Sequence, residues 1–139
     1  MKTYSGNCHC GLVKYTINLE GPIEEQNVTS CNCSHCSRNG SLYIFVPKKE
    51  MKYFSGETDL KGYSFGDKNA QHKFCPQCGS STSWHGIKPE FLPGIEGVNI
   101  RMLNDVDISK LKLVPFDGRT KVGGEYEVGK WYEEKEERV

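Results

Sequence analysis

A mainly β architecture is what this sequence predicts, and three observations predict it. Several short segments place an apolar residue at every second position, the period of a half-buried strand. Glycine and proline punctuate the chain between those segments. Only one stretch, NDVDISKLK, looks helical, and only for a turn or two.

The elements follow in order. In GLVKYTINLE, Val13, Tyr15, Ile17 and Leu19 alternate with polar residues, and Gly21-Pro22 ends the run. SLYIFV is a short apolar strand stopped at Pro47, and MKYFSG is expected to pair with it as a hairpin around KKE. Tyr63 and Phe65 make a further alternation before Gly66-Asp67. STSWHGI and GVNIRML read as strands, and LKLVPF as a weaker one. The charged end, residues 130–139 (KWYEEKEERV), reads as a solvated tail. No internal repeat, low-complexity tract or linker divides residues 1–139, so one domain is expected.

Charge and hydropathy remove several functions. Lys plus Arg and Asp plus Glu both number 18, so no global basic field suggests nucleic acid. No run of roughly 18 apolar residues exists to cross a membrane. The opening MKTYSGNCHC lacks the apolar core of a secretory signal. A reducing compartment, cytoplasmic or nuclear, is the expectation, and there the seven cysteines need a reason other than disulfides.

Their spacing supplies the reason. The chain carries Cys8-His9-Cys10, then Cys31-Asn32-Cys33-Ser34-His35-Cys36, then Cys75-Pro76-Gln77-Cys78, with no cysteine outside a cluster. An odd number cannot pair completely, and thiols one or two residues apart are poor disulfide partners. Two thiolates on a tight turn can instead face one ion, and zinc takes four such ligands tetrahedrally. The middle motif carries three ligands by itself. CxC and CxxC are then left to complete a closed four-thiolate site from Cys8, Cys10, Cys75 and Cys78, structural because it has no vacancy. Cys31, Cys33 and Cys36 would hold a second zinc with one coordination position open, the arrangement of catalytic sites.

Other readings compete with that one. His9, His35, His72 or His85 could fill the fourth position and close the middle site, although His35, wedged between Cys33 and Cys36, would more naturally point away. Metal storage does not suit a chain with 11% aromatic residues and alternating apolar segments. A rubredoxin-like iron site would use two CxxC knuckles, and one stands alone here.

Three motifs in order resemble those of a known family. Gly6-Asn7-Cys8-His9-Cys10-Gly11-Leu12-Val13-Lys14-Tyr15 resembles the GxCxCGxVxY opening of the glutathione-dependent formaldehyde-activating enzymes, also named for centromere protein V. Cys31 to Cys36 is similar to that family's CxCSxC motif, and Phe74-Cys75-Pro76-Gln77-Cys78-Gly79-Ser80 to its FCxxCG[ST] motif. The resemblance runs from about residue 6 to residue 118. It implies a β-tent fold of small antiparallel sheets organised around two zinc ions per chain. It also implies a structural site from the outer motifs and a catalytic one from the middle motif. Many members carry arginine directly after the third cysteine of that motif; here Ser37 follows, and Arg38 comes one place later.

The expected activity is that of a carbon–sulfur lyase handling a thiol–aldehyde adduct of the S-hydroxymethylglutathione type. The partners would be a small thiol such as glutathione and a small aldehyde. Proton transfer would fall to His35, or to His9 or His72 if the fold brings either near, and Arg38 is the candidate for holding a substrate carboxylate. The competing function is a zinc-stabilised binding module without catalysis, which would account for the lack of an unmistakable general base.

Overall fold

The computed structural model describes residues 1–122 and 126–129, so the expected tail at 130–139 lies outside the described residues. Among the described residues, ten strands form two sheets. β1 (Lys2–Asn7), β2 (Lys14–Leu19) and β5 (Met51–Ser55) make a three-stranded antiparallel sheet with β2 in the middle. The larger sheet has the order β10-β3-β4-β9-β8-β7-β6. Its strands are β3 (Asn27–Cys31), β4 (Tyr43–Pro47), β6 (Lys61–Tyr63), β7 (Ala70–Phe74), β8 (Ser81–Gly86), β9 (Ile95–Asn99) and β10 (Lys112–Phe116). Its neighbours pair antiparallel except β10, which runs parallel to β3 with Phe116 opposite Cys31. No helix among the described residues is long and apolar enough to cross a membrane.

The alternation in β2 does what its period requires. Tyr15, Ile17 and Leu19 are buried while Lys14 faces solvent. They pack with Val28, Ile44, Val46, Val98 and Ile100 into the main core. β4 is apolar on both faces because both faces are used. Ile44 and Val46 enter that core, whereas Tyr43 packs with Cys33 and Cys36 in a second, smaller cluster. The continuous apolar run SLYIFV therefore marks a strand shared between the core and the functional site.

The expected hairpin of β4 with β5 does not form. Lys48–Glu50 is a single 3-10 turn that carries the chain from one sheet into the other. β5 then pairs with β2, Met51 opposite Ile17 and Tyr53 opposite Tyr15, while β4 pairs with β9 and β3. The physical reason lies in KKE, which has no glycine or asparagine to take the positive φ of a tight hairpin turn. NDVDISKLK gives only a 3-10 turn at Ile108–Lys110, capped by the Asp107 carboxylate accepting from the Ser109 amide at 3.0 Å. Neither the short helix α1 (Ser34–Asn39) nor β1 and β7, whose residues are mostly polar, was expected from periodicity.

One ion pair is buried in the large sheet. Glu96 on β9 is 1% exposed; Lys73 Nζ on β7 lies 2.7 Å from its carboxylate, and the Ser83 hydroxyl donates to it at 2.8 Å. Removing the cation alone would strand a buried charge. Lys73→Met is expected to destabilise the zinc-loaded protein by about 3–5 kcal/mol in urea unfolding, and adding Glu96→Gln to recover much of the loss. Equal stability of Lys73→Met and the unsubstituted protein would show the pair to be solvated.

Candidate metal centres and an aromatic cavity

The outer thiols meet across the two sheets. Cys8 and Cys10 sit on the turn between β1 and β2, and Cys75 and Cys78 on the turn between β7 and β8. Each turn is folded by its own backbone. The Cys8 amide donates to the Val13 carbonyl at 3.1 Å, and the Cys75 amide to the Ser80 carbonyl at 3.0 Å. Gly79, at φ +79°, supplies the left-handed residue that lets Cys78 double back. The His9 amide donates to the Ser80 hydroxyl at 3.0 Å and ties the turns together.

The four sulfurs lie within 4.8 Å of one another. Cys8 Sγ is 3.6 Å from Cys10 Sγ, which is 3.8 Å from Cys75 Sγ. A disulfide would bring two sulfurs to about 2.05 Å. A tetrahedron with zinc–sulfur bonds of about 2.3 Å has edges of about 3.8 Å. The donor set therefore fits a tetrahedral metal. The Val13 amide donates to Cys8 Sγ at 3.3 Å, and the Ser80 hydroxyl, 3.2 Å from Cys78 Sγ, pulls that thiol down to about 5.

The middle thiols are gathered by α1. Cys31 ends β3, Cys33 caps the helix, and Cys36 lies in its first turn. The Cys36 amide donates to Cys33 Sγ at 3.3 Å, and the Cys33 amide to Cys31 Sγ at 3.4 Å. The sulfur thus replaces the usual serine or aspartate oxygen of a helix cap. These three sulfurs also lie within 4.8 Å of one another. Hydrogen bonds with Cys31 and Cys36 draw the Cys33 thiol down to about 2, while the same contacts push Cys31 and Cys36 up. One negative charge is accommodated, and a second or third needs a cation among them. That requirement is what a divalent metal meets. Among the described residues no histidine nitrogen or carboxylate joins this trio, so the reading that closes it with a histidine gains nothing from the geometry.

A cavity of about 720 Å³ opens beside the middle thiols, and Cys31, Cys33 and Cys36 form part of its wall. Cys8, Cys10, Cys75 and Cys78 do not line it. Trp84 stands at its centre of contacts, with ring centroids 5.6 Å from Phe45, 6.2 Å from Tyr43 and 6.0 Å from Phe91.

Residues 3–113 match the family model of the glutathione-dependent formaldehyde-activating enzyme. The chain belongs to that family. A crystallographically solved protein of Rhodobacter sphaeroides has the same fold, with a TM-score of 0.68 and 31% identity; the match covers 80% of this chain and 97% of that one.

Within this member of the formaldehyde-activating enzyme family, the residues expected to handle substrate stand in different places. His35 turns its ring onto that of His72, centroid to centroid 3.9 Å, and stacks against Phe65 and Tyr63. Burial lowers the affinity of His35 for a proton, and burial followed by the nearness of His35 takes His72 down to about 3, so both rings are neutral at pH 7. It is His72 that lines the cavity. Arg38 is exposed on α1, its Nη1 donating to the Ser34 carbonyl at 3.3 Å, and it is not on the cavity wall. A smaller cavity of about 110 Å³ shares Cys33, Phe65 and Val122 with the large one, and Arg119 lies on its wall.

Sequence reasoning missed the strap that holds the middle motif. Asn32, between Cys31 and Cys33, donates its amide hydrogen to the Phe116 carbonyl at 3.1 Å and its side-chain NH₂ to Asp117 at 2.9 Å. Its side-chain oxygen accepts from the Arg119 amide at 2.9 Å. The strap comes close enough that a Cβ on Gly118 would collide with Cys31 Sγ. Gly118→Ala is expected to lower metal affinity at the middle thiols about 10–100-fold, the range found when ligand support is disturbed. Competition with a coloured chelator would measure it, and unchanged affinity would show that Cys31 has room to move. The signal was present in the sequence as Phe116-Asp117-Gly118, at the margin of the resemblance.

Proposed function

We propose that the chain is a zinc-dependent enzyme of the carbon–sulfur lyase type, forming or cleaving the adduct of a thiol with a small aldehyde at the middle cluster. The observation that carries this reading is the asymmetry between the two thiol sets. The complete four-thiol set lies away from the cavity, and the three-thiol set forms part of its wall. Zinc held by Cys8, Cys10, Cys75 and Cys78 is then structural, and zinc held by Cys31, Cys33 and Cys36 meets substrate.

When bound at the middle site, zinc would favour the thiolate form of a substrate thiol, which in water with a pKa of about 8.5 is mostly protonated at neutral pH. The protein groups do the rest. The amides of Cys33 and Cys36 hold two of the thiolate ligands in place through their N–H to sulfur bonds. In the cleavage direction, the C–S bond of a hydroxymethyl thioether breaks and its electron pair stays on sulfur. The hydroxyl proton leaves as the C=O bond forms, and a neutral imidazole can accept it and return it to sulfur. We assign that transfer to His72, on the cavity wall and backed by His35; because burial keeps it neutral at rest, it would hold the proton only transiently before passing it to sulfur. Addition runs the same steps in reverse. Arg38, exposed on α1 with its Nη1 on the Ser34 carbonyl and off the cavity wall, is given no part in this reading.

Zinc-loaded protein is expected to accelerate exchange between formaldehyde, a thiol and their hydroxymethyl adduct beyond the rate with the same protein stripped of metal. Two-dimensional NMR exchange spectroscopy reads both directions at equilibrium. Identical exchange with and without metal, across several thiols and aldehydes, would support the binding-module reading.

A further inference from the structure

The cavity beside the middle thiols has a chemical character of its own. Tyr43 and Phe45 on β4, Trp84 on β8, Phe65, Phe91 and Phe116 turn aromatic rings into it. Beyond the thiols and the Tyr43 phenol, its titratable wall residues are His72 and Glu90. No lysine or arginine lines it among the described residues. Arg119 stands on the adjoining small cavity, where its Nε already donates to the Asn32 carbonyl at 3.2 Å.

These rings are not surplus core. Phe45 stays 39% exposed and Leu92 43% exposed on the cavity side of the sheet. β4 sends Ile44 and Val46 to the main core and leaves Phe45 facing Trp84. Two glycines make room for the wall. A Cβ on Gly97 would fall 2.5 Å from Trp84 Nε1, so the indole lies flat across β9 only because that position is glycine. A Cβ on Gly86 would collide with the Phe91 carbonyl, so the 87–94 loop folds back onto β8 for the same reason and brings Phe91 to Trp84.

Glutathione suits this surface poorly. At neutral pH it carries two carboxylates and one ammonium. Three thiolates on a divalent ion would carry a net negative charge, and the Glu90 carboxylate stands beside them, so the carboxylates of glutathione would find no lysine or arginine on this wall among the described residues. Rings facing an apolar cavity of this size instead suit a flat, uncharged group.

Building on the thiol–aldehyde reading above, we infer that the thiol taken by this site is an uncharged ring-bearing one of the arylmethyl type, whose sulfur meets the middle cluster while its ring lies against Trp84, Phe45 and Phe91. Formation joins the thiol sulfur to the aldehyde carbon and moves the thiol proton to the new hydroxyl; cleavage reverses both changes, with no oxidant or reductant.

The test uses zinc-loaded full-length protein, with benzyl mercaptan and glutathione as the thiols and formaldehyde as the aldehyde. The catalysed exchange rate per unit thiol is expected to be at least about tenfold higher with benzyl mercaptan, equivalent to about 1.4 kcal/mol. Phe91→Ala and Phe45→Ala, both outside the main core, are each expected to erase most of that preference, through a loss of exchange rate with benzyl mercaptan that exceeds any loss with glutathione. Equal or faster exchange with glutathione would overturn the inference and leave the proposed function standing. A preference untouched by both substitutions would also overturn it. Should neither thiol be turned over, calorimetric titration decides the ligand class separately. Benzyl mercaptan binding about tenfold tighter than glutathione would support the inference while the enzyme reading fails, and equal or weaker binding would end both.

Discussion

Cys75→Ser is expected to leave the chain unfolded or aggregating. Cys75 is fully buried in the main core, and its sulfur lies 3.8 Å from that of Cys10, whose turn belongs to the other sheet. The metal held there would join segments some 65 positions apart in sequence. A structural thiolate zinc contributes about 10–16 kcal/mol of apparent binding free energy. A domain of this size is stable by only about 5–15 kcal/mol in all, so the loss of one ligand reaches the whole margin. Far-UV circular dichroism and a thermal melt would read the collapse. A cooperative melt close to that of the unsubstituted protein would show that the sheets hold without this metal.

Cys36→Ser is expected to behave differently. Its partners Cys31 and Cys33 lie within five positions of it, so the metal closes only a short loop. The fold around that loop has other supports: β3 is paired on both sides by β10 and β4, and Asn32 is held by the strap at Phe116–Arg119. The protein should retain its β-sheet signal and a cooperative melt, lose one metal ion, and fall to the metal-free exchange rate. Collapse of Cys36→Ser beside an intact Cys75→Ser would reverse the structural and catalytic assignments.

The thiol clusters were legible in the sequence because ligand spacing is local chemistry. Two cysteines separated by one or two residues on a turn already face one point, and counting ligands matched CxC with CxxC before any strand was placed. β2 was legible for a similar reason, since its period alone sets Tyr15, Ile17 and Leu19 on one face. The hairpin expectation failed because the sequence shows where β4 and β5 run but not which edge each finds; without a tight turn between them, the chain changed sheets. Helix α1 was hidden because SHCSRN has no apolar stripe and takes its cap from a thiol rather than a hydroxyl or carboxylate.

The aromatic cavity could not be read from the chain at all. Tyr43 and Phe45 of β4, Phe65, Trp84, Phe91 and Phe116 come from five separate stretches of the sequence, and each taken alone reads as an ordinary core residue. Only sheet order brings β4, β9 and β8 side by side and sets Phe45 against Trp84. Proton transfer shows the same limit. The sequence offered His35, His9 and His72 without a way to choose among them, and only the topology sets His72 of β7 on the cavity wall with His35 against it.

The central claim is that the middle cluster holds zinc through three protein thiolates and keeps its fourth position for a substrate sulfur. A crystal structure of the zinc-loaded protein soaked with 2-mercaptoethanol, a thiol small enough to enter whatever the preferred substrate, tests it most directly. Zinc is expected at both clusters, with the added sulfur about 2.3 Å from the ion held by Cys31, Cys33 and Cys36 and none at the ion held by Cys8, Cys10, Cys75 and Cys78. A protein side chain occupying the fourth position at the middle zinc, with the thiol excluded, would contradict it.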